Sequence, residues 1–172
     1  VRIASVNPKF VVREGQNDEA AVQDLVEAEL AGIGYENKRW DVFPGRPNVV
    51  GTRKGNEERS IILCGHIDTV PIGEESAWTV DPFSGVIKDD RLYGRGAVDM
   101  KSGVAACVAA LHAIHHAGID LDGRVSLHSV VDEEAGGFGA MDAVAKGELA
   151  KAAIVAEPTW GDVQPCEGGL IW

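Results

Sequence analysis

The sequence predicts an α/β fold in which a mixed central β-sheet is flanked by helices. Short apolar segments alternate along the chain with longer segments of helical periodicity, and glycines and prolines separate them. Residues 60–65, SIILCG, form a short apolar segment rich in β-branched side chains, which is typical of a strand covered on both faces. A chain of 172 residues is long enough to bury a core as a single domain.

The N-terminal half is predicted to contain one helix followed by three strands. Residues 17–30 place Val22, Val26 and Leu30 at helical spacing, with Ala21 and Leu25 beside them, and Gly32 follows as a stop signal. The strands are separated by Pro-Gly and other turn residues, and they are predicted at 35–42, 48–53 and 61–65. A loop follows at 71–85.

The C-terminal half begins with a hairpin and continues with alternating helices and strands. The hairpin covers residues 85–93 and turns at Asp89–Asp90. The clearest helix covers 101–117, ends before Gly118, and has an apolar face made of Val104, Cys107, Val108, Leu111 and Ile114. The remaining predicted elements are a strand at 123–131, a helix at 139–146 and a second buried strand at 152–156.

Composition excludes several function classes. The net charge is -11 and no cluster of lysine and arginine is present, which argues against nucleic-acid binding. No apolar run reaches the roughly 18 residues of a membrane span, and no signal peptide is visible, although the chain begins at Val1. Cys64, Cys107 and Cys166 lack a C-x-x-C spacing, so we expect free thiols and a cytoplasmic location.

Imidazole and carboxylate side chains gather where the predicted elements end or begin. In an open α/β sheet, ligands bind outside the ends of the strands. Each group alone has an ordinary explanation, such as helix capping by an aspartate, but together they are typical of converging metal ligands. This donor set suits zinc, with cobalt or manganese as substitutes. The residues are His66, Asp68, Asp99, Asp132, Glu133, Glu134 and Glu157.

Four motifs in this order resemble those of a known family. They are "GHIDTVP", "WTVDPFSGVIKDDRLYGRGAVDMKSG", "VDEEAGG" and "VAEPT". The chain resembles the zinc-dependent amidohydrolases and exopeptidases that include acetylornithine deacetylase, succinyl-diaminopimelate desuccinylase and carboxypeptidase G. The similarity covers nearly the whole chain and implies a zinc exopeptidase-like catalytic domain.

The resemblance implies two zinc ions and a role for each metal ligand. His66 and Glu157 would bind one zinc, Asp99 would bridge both ions, and Glu134 would bind the other. A bridging carboxylate can hold two metals about 3.5–4 Å apart. The resemblance also implies a cis peptide bond between Asp99 and Met100.

The resemblance further implies hydrolysis of an amide bond. Glu133 would act as the general base, and Asp68 would orient the imidazole of His66. The expected substrate is an N-acyl amino acid, attacked by an activated water. Alternatives are a dipeptidase or carboxypeptidase of the same family, and a non-catalytic metal-binding module. The full-length form is expected to be a homodimer.

Two other groups of residues are weaker candidates for a site. His112, His115 and His116 lie near the end of the predicted helix, and His112 is roughly 20 Å along the helix axis from Asp99. We therefore interpret these histidines as surface or partly packed residues, and His128 as structural. The segment GRGAVDMKSG lacks the third glycine and the Gly-Lys-Ser/Thr of a nucleotide-binding loop.

The chain departs from the family pattern in two respects. Ser102 stands where the family usually has a glycine. Family members also carry a further histidine ligand for the second zinc far downstream, beyond an inserted lid or dimerisation domain, and this sequence has no histidine after Glu157. We therefore expect residues 1–172 to be the N-terminal portion of a catalytic domain, with little activity alone.

Overall fold

The computed structural model describes residues 1–165, so Cys166 and the final GGLIW segment lie outside the described residues. The helices are α1 (Glu19–Gly32), α2 (Lys101–His116) and α3 (Phe138–Ala145), with a 3-10 turn at Glu75–Ala77. The strands are β1 (Glu36–Phe43), β2 (Arg46–Arg53), β3 (Asn56–His66), β4 (Val86–Lys88), β5 (Arg91–Tyr93), β6 (Gly123–Val130) and β7 (Ala152–Val155). The predicted α/β fold is confirmed.

The central sheet is mixed and has the strand order β1-β2-β6-β3-β7. β2 pairs antiparallel with both β1 and β6, whereas β3 lies parallel to both β6 and β7. The carboxyl ends of β3, β6 and β7 therefore meet at one edge of the sheet. The chain crosses from β3 to β6 through α2, so the start of α2 lies at the same edge.

Helices cover both faces of the sheet. On one face, Asn37 and Arg39 of β1 reach α1, where Asn37 donates to the carbonyl oxygen of Glu27. On the other face, Trp40 of β1 donates to Asp142 of α3. The buried core lies beneath α1 and α2 and contains Val22, Val26, Leu30, Ile67, Val104, Cys107, Leu111, Val125, Leu127 and Val131.

Several boundaries differ from the sequence prediction by one or more residues, and three of the differences have local reasons. α1 begins at Glu19 because Asp18 caps it, accepting a hydrogen bond from the backbone N–H of Ala21 at 3.0 Å. β3 begins at Asn56, since a polar and exposed stretch continues the apolar strand backwards. Pro47 lies inside β2, where it is tolerated because β6 pairs with β2 only from Val49 onward.

The predicted burial of the strand at 152–156 is wrong. All four residues of β7 are exposed, including Ile154 and Val155. Among residues 1–165, β7 is the last strand of the sheet and pairs with β3 alone. Burial of an edge strand depends on what packs beside it, which its own sequence does not specify.

The predicted hairpin and its turn at Asp89–Asp90 are confirmed. β4 and β5 are antiparallel, and Asp89 and Asp90 have φ values of 51° and 56°. Positive φ at both central residues is the geometry of a type I′ turn, which aspartate tolerates better than most residues. Within the described part of the chain, no helix has the length and apolarity needed to cross a membrane.

Candidate metal centre

His66 is the last residue of β3 and its side chain is only 1% exposed. Its Nδ1 atom lies 2.9 Å from the carbonyl oxygen of Asp68 and 3.5 Å from Asp68 Oδ1. Both neighbours are hydrogen-bond acceptors, so Nδ1 carries the proton and donates to the carbonyl. With Nδ1 held in this way, Nε2 is the nitrogen that could bind a metal ion in place of a proton.

Three carboxylates from three different loops face the Nε2 atom of His66. Asp99 Oδ1 lies at 3.0 Å, while Glu133 Oε2 and Glu157 Oε1 each lie at 3.7 Å. Glu157 follows β7, Glu133 follows β6, and Asp99 precedes α2. The structure thus brings together residues from all four predicted clusters.

Potential ligand atoms fall into two groups that share His66. One group is His66, Asp99 and Glu134, and the other is His66, Glu133 and Glu157; within each, the atoms lie within 4.8 Å of one another. The sequence analysis paired Glu157 with Asp99 and assigned Glu133 to proton transfer instead. Among residues 1–165, these two groups therefore differ from the arrangement that the resemblance implies, because Asp99 and Glu157 fall into separate groups.

Asp68 is fully buried and joins the loops after β3 and β6. Its Oδ1 atom accepts a hydrogen bond from the backbone N–H of Glu133 at 3.1 Å. Its Oδ2 atom accepts one from the backbone N–H of Glu134 at 3.3 Å. Asn7 Nδ2 donates to Oδ2 at 2.7 Å. Burial opposes ionisation, but hydrogen bonds from His66, Asn7 and Glu133 together hold the pKa of Asp68 below its usual range.

Asp99 is positioned by the residue that follows it. The Asp99–Met100 peptide bond is cis, as the resemblance implies. Met100 is fully buried, and its side chain packs against Gly65 of β3, where an added Cβ would lie 2.9 Å from Met100 Cε. Asp99 therefore stands beside the end of β3 while its own side chain remains about half exposed.

The electrostatics of this centre favour a cation. Burial disfavours the imidazolium of His66, but the hydrogen bond to Asp68 and the charges of Asp68, Glu157 and Glu133 raise its pKa to about 9. Burial, together with repulsion from Asp99, Glu133 and Glu134, raises the pKa of Glu157 to about 7. Burial and nearby Asp99 likewise raise the pKa of Glu134.

The donor set fits a metal ion. It consists of a buried imidazole, oriented by the contact of its Nδ1 atom with the Asp68 carbonyl oxygen, and several carboxylates; both are zinc ligands in proteins. Among residues 1–165, no lysine or arginine forms an ion pair with Asp99, Glu134 or Glu157. A divalent cation would relieve the mutual repulsion of these carboxylates.

Sequence reasoning named Asp132 but missed the residues that contact it behind the centre. Asp132 is fully buried and accepts hydrogen bonds from Asn7, Lys9 and Arg46 at 3.1, 2.6 and 3.0 Å, respectively. Arg46 also forms a buried ion pair with Glu19. Asn7, Lys9 and Arg46 lie outside the predicted helices and strands, so no periodicity indicated their partners. Glu19 lies in the predicted helix at 17–30, where a charged residue by itself indicates no partner.

The other histidines lie apart from this centre. His112 Nε2 lies 3.1 Å from Glu29 of α1, so it connects two helices. His115 and His116 are exposed at the end of α2. His128 is buried in β6, in agreement with its predicted structural role.

Known proteins share this sequence pattern and fold. Residues 62–167 match the model of peptidase family M20/M25/M40. The chain is 39% identical over 153 residues to N-formyl-4-amino-5-aminomethyl-2-methylpyrimidine deformylase of Bacillus subtilis (strain 168), an alignment covering 87% of this chain and 36% of the relative. It is 40% identical over 149 residues to succinyl-diaminopimelate desuccinylase of Rhodospirillum centenum, covering 82% of this chain and 39% of the relative.

Solved structures agree on the fold. The M20 family metallo-carboxypeptidase Sso-CP2 from Sulfolobus solfataricus superposes with a TM-score of 0.75 at 24% identity, covering 90% of this chain and 35% of that one. Human carnosine dipeptidase 1 gives the same TM-score at 22% identity, covering 90% and 36%. The chain spans little more than a third of the length of these proteins. The family model and the ordered motifs agree with each other, and the chain belongs to peptidase family M20/M25/M40.

Proposed function

We propose that this chain supplies the metal ligands and general base of a hydrolase that cleaves the amide bond of an N-acyl amino acid. The observation that carries the proposal is the position of His66 Nε2, which faces carboxylates from three separate loops at 3.0–3.7 Å. These carboxylates repel each other, and a bound divalent cation would offset that repulsion.

The proposed zinc ligands are His66, Asp99, Glu134 and Glu157, and cobalt or manganese could substitute for zinc. The family resemblance suggests that Asp99 would be shared by the two metal positions, and its Oδ1 atom lies 3.0 Å from His66 Nε2. Metal ions bound there would polarise the amide carbonyl and lower the pKa of the attacking water.

Glu133 is the proposed general base. Its carboxylate is about half exposed, so it can reach a water and a substrate in the open cleft. Its main chain is fixed by Asp68, which keeps the side chain directed to the face of Nε2. Glu133 takes a proton from the attacking water and gives it to the leaving nitrogen as the amide C–N bond breaks.

The names of the relatives support a deacylase. Succinyl-diaminopimelate desuccinylase and the formyl-pyrimidine deformylase are both named for removing an acyl group, at 40% and 39% identity. The similarity to human carnosine dipeptidase 1 is at 22% sequence identity, so it supports the fold and not the choice of substrate. Since the chain spans 36–39% of those relatives, the complete activity and any homodimer belong to the whole protein.

Metal stoichiometry tests the proposal directly. The purified chain is dialysed against a weak chelator and its zinc content is measured. We expect about one tightly held zinc per chain, lost in His66→Ala and retained in the control His115→Ala, which removes an exposed histidine of α2. A His66→Ala variant that keeps its zinc would contradict the assigned centre. For the whole protein, faster hydrolysis of dipeptides than of N-succinyl or N-formyl substrates would exclude the deacylase assignment.

A further inference from the structure

The N-terminal segment, residues 3–9, contacts the chain on both sides of the proposed metal centre. Val6 forms a parallel bridge with Thr69, directly after Asp68. The backbone N–H of Asn7 donates to the carbonyl oxygen of Thr69 at 2.9 Å. The backbone N–H of Thr69 donates to the carbonyl oxygen of Ser5 at 3.0 Å. The segment thus pairs with the chain just beyond β3.

The same segment also reaches the start of α2. Lys101 Nζ donates to the carbonyl oxygen of Ile3 and to Ser5 Oγ, each at 3.0 Å. Lys101 lies two residues after Asp99 and is itself buried. The N-terminal segment therefore fixes the loop after β3 and the beginning of α2 relative to each other.

Asn7 extends this contact to the loop after β6. Its side chain is fully buried, and its Nδ2 group donates to Asp68 Oδ2 at 2.7 Å and to Asp132 Oδ1 at 3.1 Å. Its Oδ1 atom accepts from the backbone N–H of Lys9 at 3.0 Å, which fixes the orientation of the amide. Both hydrogens of one amide group therefore hold two buried carboxylates together.

Those two carboxylates control the main chain that carries the Glu133–Glu134 pair. Asp132 immediately precedes the pair and accepts hydrogen bonds from the side chains of Arg46 and Lys9. Asp68 accepts from the backbone N–H groups of both glutamates. Without the amide of Asn7, Asp68 and Asp132 would face each other as unbridged buried charges and would move apart.

We propose that Asn7 is a positioning residue of the metal centre, acting through Asp68 and Asp132 on His66 and the Glu133–Glu134 pair. The inference rests on the proposed function, because it requires that these residues bind a metal. It assigns a role to the N-terminal segment, which carries none of the proposed ligands. Partners of this kind behind the ligands typically change metal affinity about 10–100-fold when removed.

The test compares two isosteric variants of buried amides. Asn7→Leu removes both hydrogen bonds to the carboxylates. Gln23→Met removes two buried hydrogen bonds from Gln23 to the carbonyl oxygens of Pro47 and Ser129, which lie outside the centre. Zinc affinity is measured by competition with a chromogenic chelator, the cobalt-substituted protein is examined by visible absorption, and the melting temperature is recorded without metal.

We expect Asn7→Leu to bind zinc about 10–100-fold more weakly and to show an altered cobalt spectrum. Gln23→Met should lower the melting temperature but keep wild-type affinity and spectrum. Asn7→Ser, which retains one donor, should fall between wild type and Asn7→Leu and takes the place of Asn7→Leu if that variant does not fold. Equal affinity changes in the Asn7 and Gln23 variants, or wild-type affinity in both Asn7 variants, would overturn the inference.

The outcome also separates this inference from the proposed function. Zinc bound by the wild type and lost in His66→Ala, but unchanged in Asn7→Leu, would refute the role of Asn7 alone. A wild-type chain that binds no zinc would refute both.

Discussion

The carboxylate of Asp68 holds the backbone N–H of Glu133 at 3.1 Å across a sequence separation of 65 residues. Asp68 follows β3 and Glu133 follows β6, so the bond connects the ends of two parallel strands. Because the Asp68 carbonyl also fixes the ring of His66, one residue sets both the imidazole and the adjacent carboxylate. The geometry of the proposed centre therefore depends on Asp68 as much as on the ligands.

Replacing Asp68 by asparagine should weaken metal binding. The amide would place an N–H₂ group where one carboxylate oxygen now accepts backbone N–H bonds, leaving a donor facing a donor. We expect a loss of about 10–100-fold in zinc affinity, measured by chelator competition. Asp120→Asn makes the same charge change at a fully exposed position and should leave the affinity unchanged. Equal affinities for the two variants would disprove the role of Asp68.

Glu133→Gln and Glu134→Gln should separate proton transfer from metal binding. In the whole protein, Glu133→Gln should lower kcat by about 10²–10⁴-fold while KM and zinc content remain close to wild type. Glu134→Gln should instead lose zinc. If Glu133→Gln loses as much zinc as Glu134→Gln, the grouping of Glu133 with His66 and Glu157 reflects ligation, and the base must be another residue.

The fold could be predicted largely because its central elements show strong local patterns. α2 has a continuous apolar face and ends within one residue of the predicted boundary, and β6 begins as predicted and ends one residue earlier. The exposure of β7 could not be predicted, since four apolar residues are compatible with either a central or an edge strand. Whether β7 is buried depends on which elements pack against it, and the sequence of β7 itself does not specify those elements.

The proposed ligands were accessible from sequence because each one follows a strand or precedes a helix. Parallel strands bring such ends to one edge, so topology converts positions as distant as His66 and Glu157 into neighbours. Asn7 had no comparable signal. Its partners, Asp68 and Asp132, lie 61 and 125 residues away, and no periodicity links them to the N-terminal segment.

Gly103→Ala should damage both the stability and the metal centre. A Cβ on Gly103 would overlap the carbonyl oxygen of Ala156, the residue before Glu157. Moving α2 away from this strand end should cost about 1–3 kcal/mol in the free energy of unfolding, measured by urea denaturation, and should weaken zinc binding. Gly32→Ala in α1, where a Cβ meets nothing within 4 Å, should be neutral or stabilising. Similar stabilities for both variants would show that α2 tolerates the displacement.

His128 should make the protein less stable in mild acid. The residue is buried in β6, and burial, assisted by Arg124 and Lys38, outweighs Glu148 and lowers its pKa from 6.5 to about 4. Between these two pH values the unfolded chain binds a proton at His128 that the folded chain does not bind. The free energy of unfolding attributable to His128 therefore falls as the pH drops through this window, by about 1.4 kcal/mol per unit of pKa difference.

A difference measurement isolates this contribution, because the raised pKa of Glu157 acts in the opposite direction between its usual value and about 7. Urea denaturation of wild type and His128→Leu is compared from pH 7 to pH 4. His128→Leu should lose less stability than wild type over this range, since a leucine cannot take up a proton on unfolding. His115→Leu removes an exposed imidazole and should follow the wild-type curve. Parallel curves for wild type and His128→Leu would mean that the buried imidazole of His128 is protonated as readily in the folded chain as in the unfolded one.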